Sequence, residues 1–253
     1  MKALKTNLSV FNKLDFLRPP VGVKFSFFKP EGIKPLAMDK NLSFCEMLKE
    51  AQQAKAPFYF SKKNKEACIG KVLLGMEKME PFAESGQIGA RLGIFQEPRA
   101  NYSFYNHIPK FDSSIVNYVA FSPLDKLTFE PDVLVITATP GQAEIVLRAM
   151  TYSTGELYTS MTTPVMGCAW LYIYPYQSGK VNYLIPQLVH GMKGRELFPE
   201  NAILISIPYQ WLPTITNNLK EMKIHLPSHE NKEKYLAEFG KIMSELVDEA
   251  KTP

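Results

Sequence analysis

Three cysteines, Cys45, Cys68 and Cys168, are the residues of this chain best suited to chemistry. Cys45 stands in the segment SFCEML, where Ser43 and Glu46 have the Ser-x-x-Glu spacing of a capping box and predict a helix start. The thiol then occupies the second helical position, against the positive end of the helix. That setting favours the anionic sulfur that attacks disulfides and binds metals. Cys68 lies in SKKNKEACIGKVLLGM, where Ser61 or Asn64 could cap a helix carrying the cysteine in its first turns, although Gly70 weakens that helix. Cys168 follows Gly167 in VMGCAWLYIYPY, where a glycine allows close backbone approach.

The three are far apart, with no C-x-x-C and no zinc-ribbon spacing. A fold can nevertheless gather them, and three thiolates suffice to hold an iron–sulfur cluster with one open or non-cysteine position. The residues leave two other readings open. Free cysteine behaves as a small buried hydrophobe, or Cys45 acts as a redox nucleophile with Cys68 or Cys168 as its resolving partner. His107 and His190, in polar or glycine-containing loops, are candidates for a fourth ligand or proton donor. Neither they nor His225 and His229 form an H-E-x-x-H pattern.

A second candidate chemistry is anion binding. Thr139-Pro140-Gly141-Gln142 joins a strand to a helix, and such helix starts attract phosphate or carboxylate. Thr139 and Gly141, with Arg91, Arg99 and Arg195, are the expected contacts of an anionic ligand. No glycine-rich nucleotide motif and no hydrolase signature accompanies them. Tyr102, Phe104, Tyr105, Tyr172, Tyr174 and Tyr209 supply material for a flat hydrophobic pocket or for core.

The elements that must position these residues alternate strand and helix. VGVKFSFF at 21–28 reads as a strand, SFCEMLKEA as an amphipathic helix, and PFYF at 57–60 as a short strand. The clearest unit is EPDVLVITATPGQAEIVLRAMTYSTGE: a buried-type strand from Val133 to Ala138, a cap at Thr139, proline at the first helical position, and Gly155 as a stop. Ile203, Ile205 and Ile207 alternate in a later strand. Residues 230–249 space Tyr235, Leu236, Phe239, Ile242, Met243 and Leu246 as an amphipathic helix expected to pack on the body. The order of elements suggests an internal duplication, about 19–128 and 129–220, related by a pseudo-two-fold that would set Cys68 and Cys168 at equivalent points. The expected fold is α/β or α+β with a mixed sheet, one domain over 1–253.

Length and composition agree. With 253 residues and 45% hydrophobic composition the chain can bury a large core. Lys and Arg total 29 against 25 Asp and Glu, and the net +4 is dispersed, which argues against nucleic acid as a partner. No apolar run reaches the length of a membrane span. The odd, scattered cysteines argue against a secreted disulfide framework, so a cytoplasmic protein is expected, with a homo-oligomer left open.

The segments RPPVGVKF, SFCEMLKEA, ACIGKVLLGM, SPLDKLTFEPDVLVITATPGQAEIVLRAMTYSTGE, GCAW and SIPYQWL together resemble the uncharacterised family of domain of unknown function 169, from about residue 19 to about residue 220. The resemblance implies no reaction. It implies cysteines in the segments that here hold Cys45, Cys68 and Cys168, and an anaerobic setting, which favours the cluster reading and a role in redox or cofactor metabolism. The competing expectations are a non-catalytic protein that binds an anionic small molecule and a thiol redox enzyme.

Overall fold

The alternating Val- and Phe-rich segments form a seven-stranded mixed sheet in a computed structural model that describes residues 1–251. The strands are β1 (Arg18–Ser26), β2 (Lys34–Pro35), β3 (Phe58–Ser61), β4 (Tyr118–Pro123), β5 (Val133–Ala138), β6 (Asn182–Leu184) and β7 (Ile203–Pro208), in the order β2-β3-β4-β1-β5-β7-β6. Only β2 and β3 run parallel; every other neighbour is antiparallel. β1 starts earlier than its sequence pattern indicates, and Phe27 and Phe28 lie beyond its end, exposed. Pro19 and Pro20 fit inside it because the β1–β5 register shifts between Arg18 and Val21, so neither proline has to donate to that ladder.

Both faces of the sheet are buried. On one, Val21, Val23, Phe121, Val133 and Val135 pack with α1 (Phe44–Gln53), α2 (Gly70–Leu73) and a π-helical turn, Ala169–Ile173. The short helices α3 (Pro81–Glu84), α4 (Gln87–Arg91) and α5 (Pro98–Tyr105) follow α2. On the other face, Leu134, Ile136, Ile205 and Ile207 meet α6 (Pro140–Thr151). After α7 (Tyr174–Ser178) and α8 (His190–Gly194) comes α9 (Leu212–Glu221), which joins α6 on that second face. Alternation along each strand thus feeds two cores, the pattern of a sheet covered by helices on both sides.

The two capping boxes form as the sequence predicts. Ser43 Oγ accepts from Glu46 N at 3.2 Å while Ser43 N donates to Glu46, and Thr139 with Gln142 repeats the exchange at α6. Each start is further fixed by burial: Phe44, Met47, Leu48 and Ala51 of α1 are all 1% exposed or less, and complete burial of a large side chain contributes about 1.5–3 kcal/mol.

Two expectations about helices are corrected. Cys68 precedes α2 instead of lying in it, because Asn64 is spent on a turn: its Oδ1 accepts from Ser61 N and its Nδ2 donates to Leu36 O. The C-terminal helix α10 (Lys232–Lys251) forms, but none of its residues is buried; Tyr235, Leu236, Phe239, Ile242, Met243 and Leu246 are all exposed instead of packing on the body. With respect to duplication, β1, β3 and β4 lie on one side of the β1–β5 seam and β5, β6 and β7 on the other, whereas α1 and α6 pack on opposite faces. Among the described residues no helix is long and apolar enough to cross a membrane.

Candidate functional site

The three cysteines come from three separate segments and meet on the α1 face of the sheet. Cys45, half-buried in the first turn of α1, is near enough to the Cys168 thiol to influence its ionisation. Cys168 is buried at the entry to the π-helical turn, and Cys68 lies close enough for the two sulfurs to feel each other's charge. The π-helical turn is held by Asn182 of β6, whose Nδ2 donates to Trp170 O at 2.9 Å and Met161 O at 3.0 Å. A sheet residue thereby fixes Cys168. Turns of this kind recur at functional sites because they re-aim side chains that a regular helix would bury elsewhere.

Glu66 and Tyr172 complete the cluster. The Glu66 carboxylate accepts from backbone N–H groups of Phe44 (3.2 Å), Cys68, Gly70 and Lys71, so it fills the anion position where α1 and α2 begin. Burial still holds its pKa above the ordinary carboxylate value against those four donors. Tyr172 is fully buried, its ring 4.7 Å from Phe44 and edge-on to it. Its hydroxyl has no hydrogen-bond partner, although it is near enough to Cys45 and Cys168 to interact with their charge.

Arg195 binds the two cysteine segments from outside. It donates to Glu46 of α1 at 3.2 Å and to Ala67 O, just before Cys68, at 2.9 Å. Burial pushes Glu46 up, but the Ser43 hydrogen bonds and Arg195 outweigh it and leave the carboxyl below its ordinary value.

Cys168 and Cys68 are held as thiols. The neighbouring Cys45 thiol raises Cys168 well above an ordinary cysteine, and burial adds to it. Cys68 is exposed as a residue where it lines a cavity, yet the protein around its sulfur withholds solvation and pushes it up to about 11, with Cys168 and Glu66 adding repulsion. Burial and mutual repulsion therefore outweigh whatever the helix starts contribute. Among the described residues no group of three His, Cys, Asp or Glu side chains stands in a geometry that could hold a metal ion.

The remaining predicted contacts do not gather with Arg195. Arg99 is exposed and pairs with Glu97 at 3.3 Å, and Arg91 is exposed at the end of α4. Thr139 and Gly141 belong to α6 on the opposite face, where Gln142 Nε2 ties the turn to Leu14 O and Asp15 O. His190 lines the cavity beside Cys68, whereas His107 is exposed after α5. Sequence reasoning missed Glu66 as a partner of the cysteines; its nearness to Cys68 in the chain was the one available signal. Tyr172 was visible only as one aromatic among several.

Two α/β layers built on a mixed sheet, with cysteines gathered under one of them, describe the class of protein. The chain belongs to the family of domain of unknown function 169, described as "Uncharacterised ArCR", whose model matches residues 11–218. It is similar to an uncharacterised protein of Methanocaldococcus jannaschii, 31% identical over 144 residues, which are 54% of this chain and 60% of the relative. The chain thus spans 60% of that relative's length. No solved structure matches it.

Proposed function

We propose that Cys45, Cys68 and Cys168 hold an iron–sulfur cluster with one position left for a substrate or a non-cysteine ligand. The observation that carries the reading is the approach of Cys45 and Cys168, distant in sequence, to the unpartnered hydroxyl of fully buried Tyr172, with Cys68 near Cys168. A buried O–H without an acceptor costs about 1–3 kcal/mol, and a thiolate or inorganic sulfide beside Cys45 and Cys168 would accept it.

The chain's residues would act as follows. The three sulfurs must lose their protons on loading, and Ile69 N–H, which bonds to Cys68, stabilises the resulting negative charge. Arg195 offsets part of it through its influence on Cys68. The Tyr172 hydroxyl, near enough to Cys45 and Cys168 to interact with their charge, would donate to the loaded sulfurs, and the surrounding Phe44 and Phe121 rings exclude water. Bound there, such a cluster supplies one-electron transfer or, at its open iron, Lewis acidity.

The test is iron and sulfide content with the visible spectrum of protein purified or reconstituted without oxygen. Stoichiometric iron and sulfide, lost in Cys45→Ala, Cys68→Ala and Cys168→Ala alike, is the expected result. A wild-type protein that takes up none, or variants that keep it, overturns the reading. The Cys45–Cys168 contact favours one alternative, thiol exchange: a disulfide oxidant RSSR would yield a Cys45–Cys168 disulfide and two RSH. A protein without iron that forms that bond on treatment with oxidised glutathione would establish it.

A further inference from the structure

Beside Cys68 lies a cavity of about 460 Å³, walled by α2, the helices α3 to α5 and the Met166 turn. That volume suits a small organic ligand. Its lining includes Phe82, Ile88 and Leu92, which are 66%, 43% and 57% exposed: large apolar side chains kept in an open recess instead of a core.

One lining residue is unlike the rest. Asn101 is 2% exposed, and its Nδ2 donates to Gly86 O at 3.0 Å and to Tyr105 Oη at 3.2 Å, while its Oδ1 is buried with no partner. It is held in that pose by close packing: a Cβ on Gly89 would come within 2.5 Å of Asn101 Nδ2, so only glycine leaves room. Tyr105, which also lines the cavity, receives the Asn101 hydrogen bond and keeps its own O–H to donate. The cavity wall therefore holds one unmet acceptor, itself covered from solvent, beside one free donor, a pair that an amide edge with its N–H and C=O complements in kind.

Charge narrows the class further. Glu77, Lys78 and Glu80 on the lining are of mixed sign, and Glu77 is already paired with Lys71 at 2.9 Å. With His190 also on the lining, no one sign of charge prevails there. We propose that this cavity binds a flat, uncharged heteroaromatic molecule through a lactam or primary-amide edge read by Asn101 and Tyr105, with its apolar body against Ile88 and Leu92 and one end reaching Cys68. The proposal does not depend on the cluster: it concerns a binding site, whatever Cys68 holds.

The experiment uses the full chain and two probes of nearly the same shape, 2-quinolinone and coumarin, the second having a ring oxygen where the first has N–H. Titration followed by amide NMR is expected to show 2-quinolinone shifting Gly89, Asn101 and Met166, with coumarin at least about tenfold weaker because it leaves the buried acceptor unmet. Ala83→Trp, which places an indole in the cavity, is expected to abolish both shifts while amide dispersion shows the protein folded. Absence of 2-quinolinone binding at millimolar concentration, equal affinity for the two probes, or binding that survives Ala83→Trp would each overturn the assignment. Because Asn101 also supports Gly86, the probe pair tests its acceptor without altering the protein.

Discussion

Replacing Gly70 by alanine sets two well-known effects against each other at the base of the cysteine cluster. Alanine is favoured over glycine in helices by about 1 kcal/mol and restricts the unfolded chain. Against that, a Cβ at residue 70 would stand 2.7 Å from Phe44 Cβ, 3.2 Å from Glu66 Oε1 and 3.3 Å from Phe44 Cγ. Carbon–carbon contacts settle near 3.5–4.0 Å, so the overlap is about 1 Å, and Phe44 Cβ hangs directly on the backbone of the first residue of α1, where no rotamer change relieves it. Overpacking of this kind costs about 1–3 kcal/mol. In a helix of four residues the propensity gain is at its weakest, so the clash wins and Gly70→Ala should lose stability by about 1–3 kcal/mol. Gly141→Ala is the matched control: it lies in the first turn of twelve-residue α6 with nothing within 4 Å of its Cβ and should gain about 0.5–1 kcal/mol. Urea unfolding followed by circular dichroism, read as midpoint shifts at constant slope, measures both. Gly70→Ala at or above wild-type stability, or both variants moving together, would refute the close approach of α2 to α1.

Three further outcomes follow from the same geometry. Tyr172→Phe should leave the metal-free protein as stable as wild type or up to about 3 kcal/mol more stable, since it removes a buried hydroxyl without a partner; calorimetry that shows a clear loss would mean the hydroxyl is bonded. Cys68, with its thiol near 11, should react with iodoacetamide about two hundredfold more slowly at pH 8 than a free cysteine of ordinary pKa, and the rate should climb tenfold per pH unit up to that value. The folded thiol keeps its proton after the unfolded chain has lost it, so stability is full below about pH 8.5 and falls as pH rises through about 11; Cys68→Ala should flatten part of that fall in pH-dependent urea titrations. Removal of residues 230–253 should shift the melting temperature by no more than a degree or two, because α10 buries none of its side chains; a larger drop would show that it packs on the body.

Where the sequence was legible, a local rule decided the structure. The starts of α1 and α6 follow from capping residues and an apolar stripe, and β5 from an unbroken apolar run, so neighbours in the chain carried all the information. Helices α3 to α5 were not legible because each is short and lacks a sustained apolar face; they are shaped by packing of Gly89 against Asn101 and by the cavity they surround. Cys68 was placed in a helix because Asn64 has a capping type, but that side chain reaches Leu36 O, a partner that only the fold supplies. The exposed face of α10 marks the same limit from the other side: periodicity predicts a helix with an apolar stripe, and cannot say what covers it.

The candidate site shows why its parts were hidden. Cys45, Cys68 and Cys168 each look like packing residues in their own segments, and apolar replacements would pack there without charge or polar atoms to desolvate. At neutral pH the raised pKa values of two thiols and a tyrosine cost nothing, since those groups are neutral folded or unfolded; the cost lies in the unpartnered hydroxyl and in the carboxylate held among them. Glu66 also occupies the N–H groups that open α1 and α2, so those helix starts are closed to an incoming anion, and its own charge raises Cys68 and Cys168. Neutral thiols are what packing requires, whereas the unpartnered Tyr172 hydroxyl and the Glu66 carboxylate are not. Under the proposed cluster, loading would take the protons from the sulfurs and give Tyr172 its acceptor; without it, the hydroxyl stays a plain cost that Tyr172→Phe relieves.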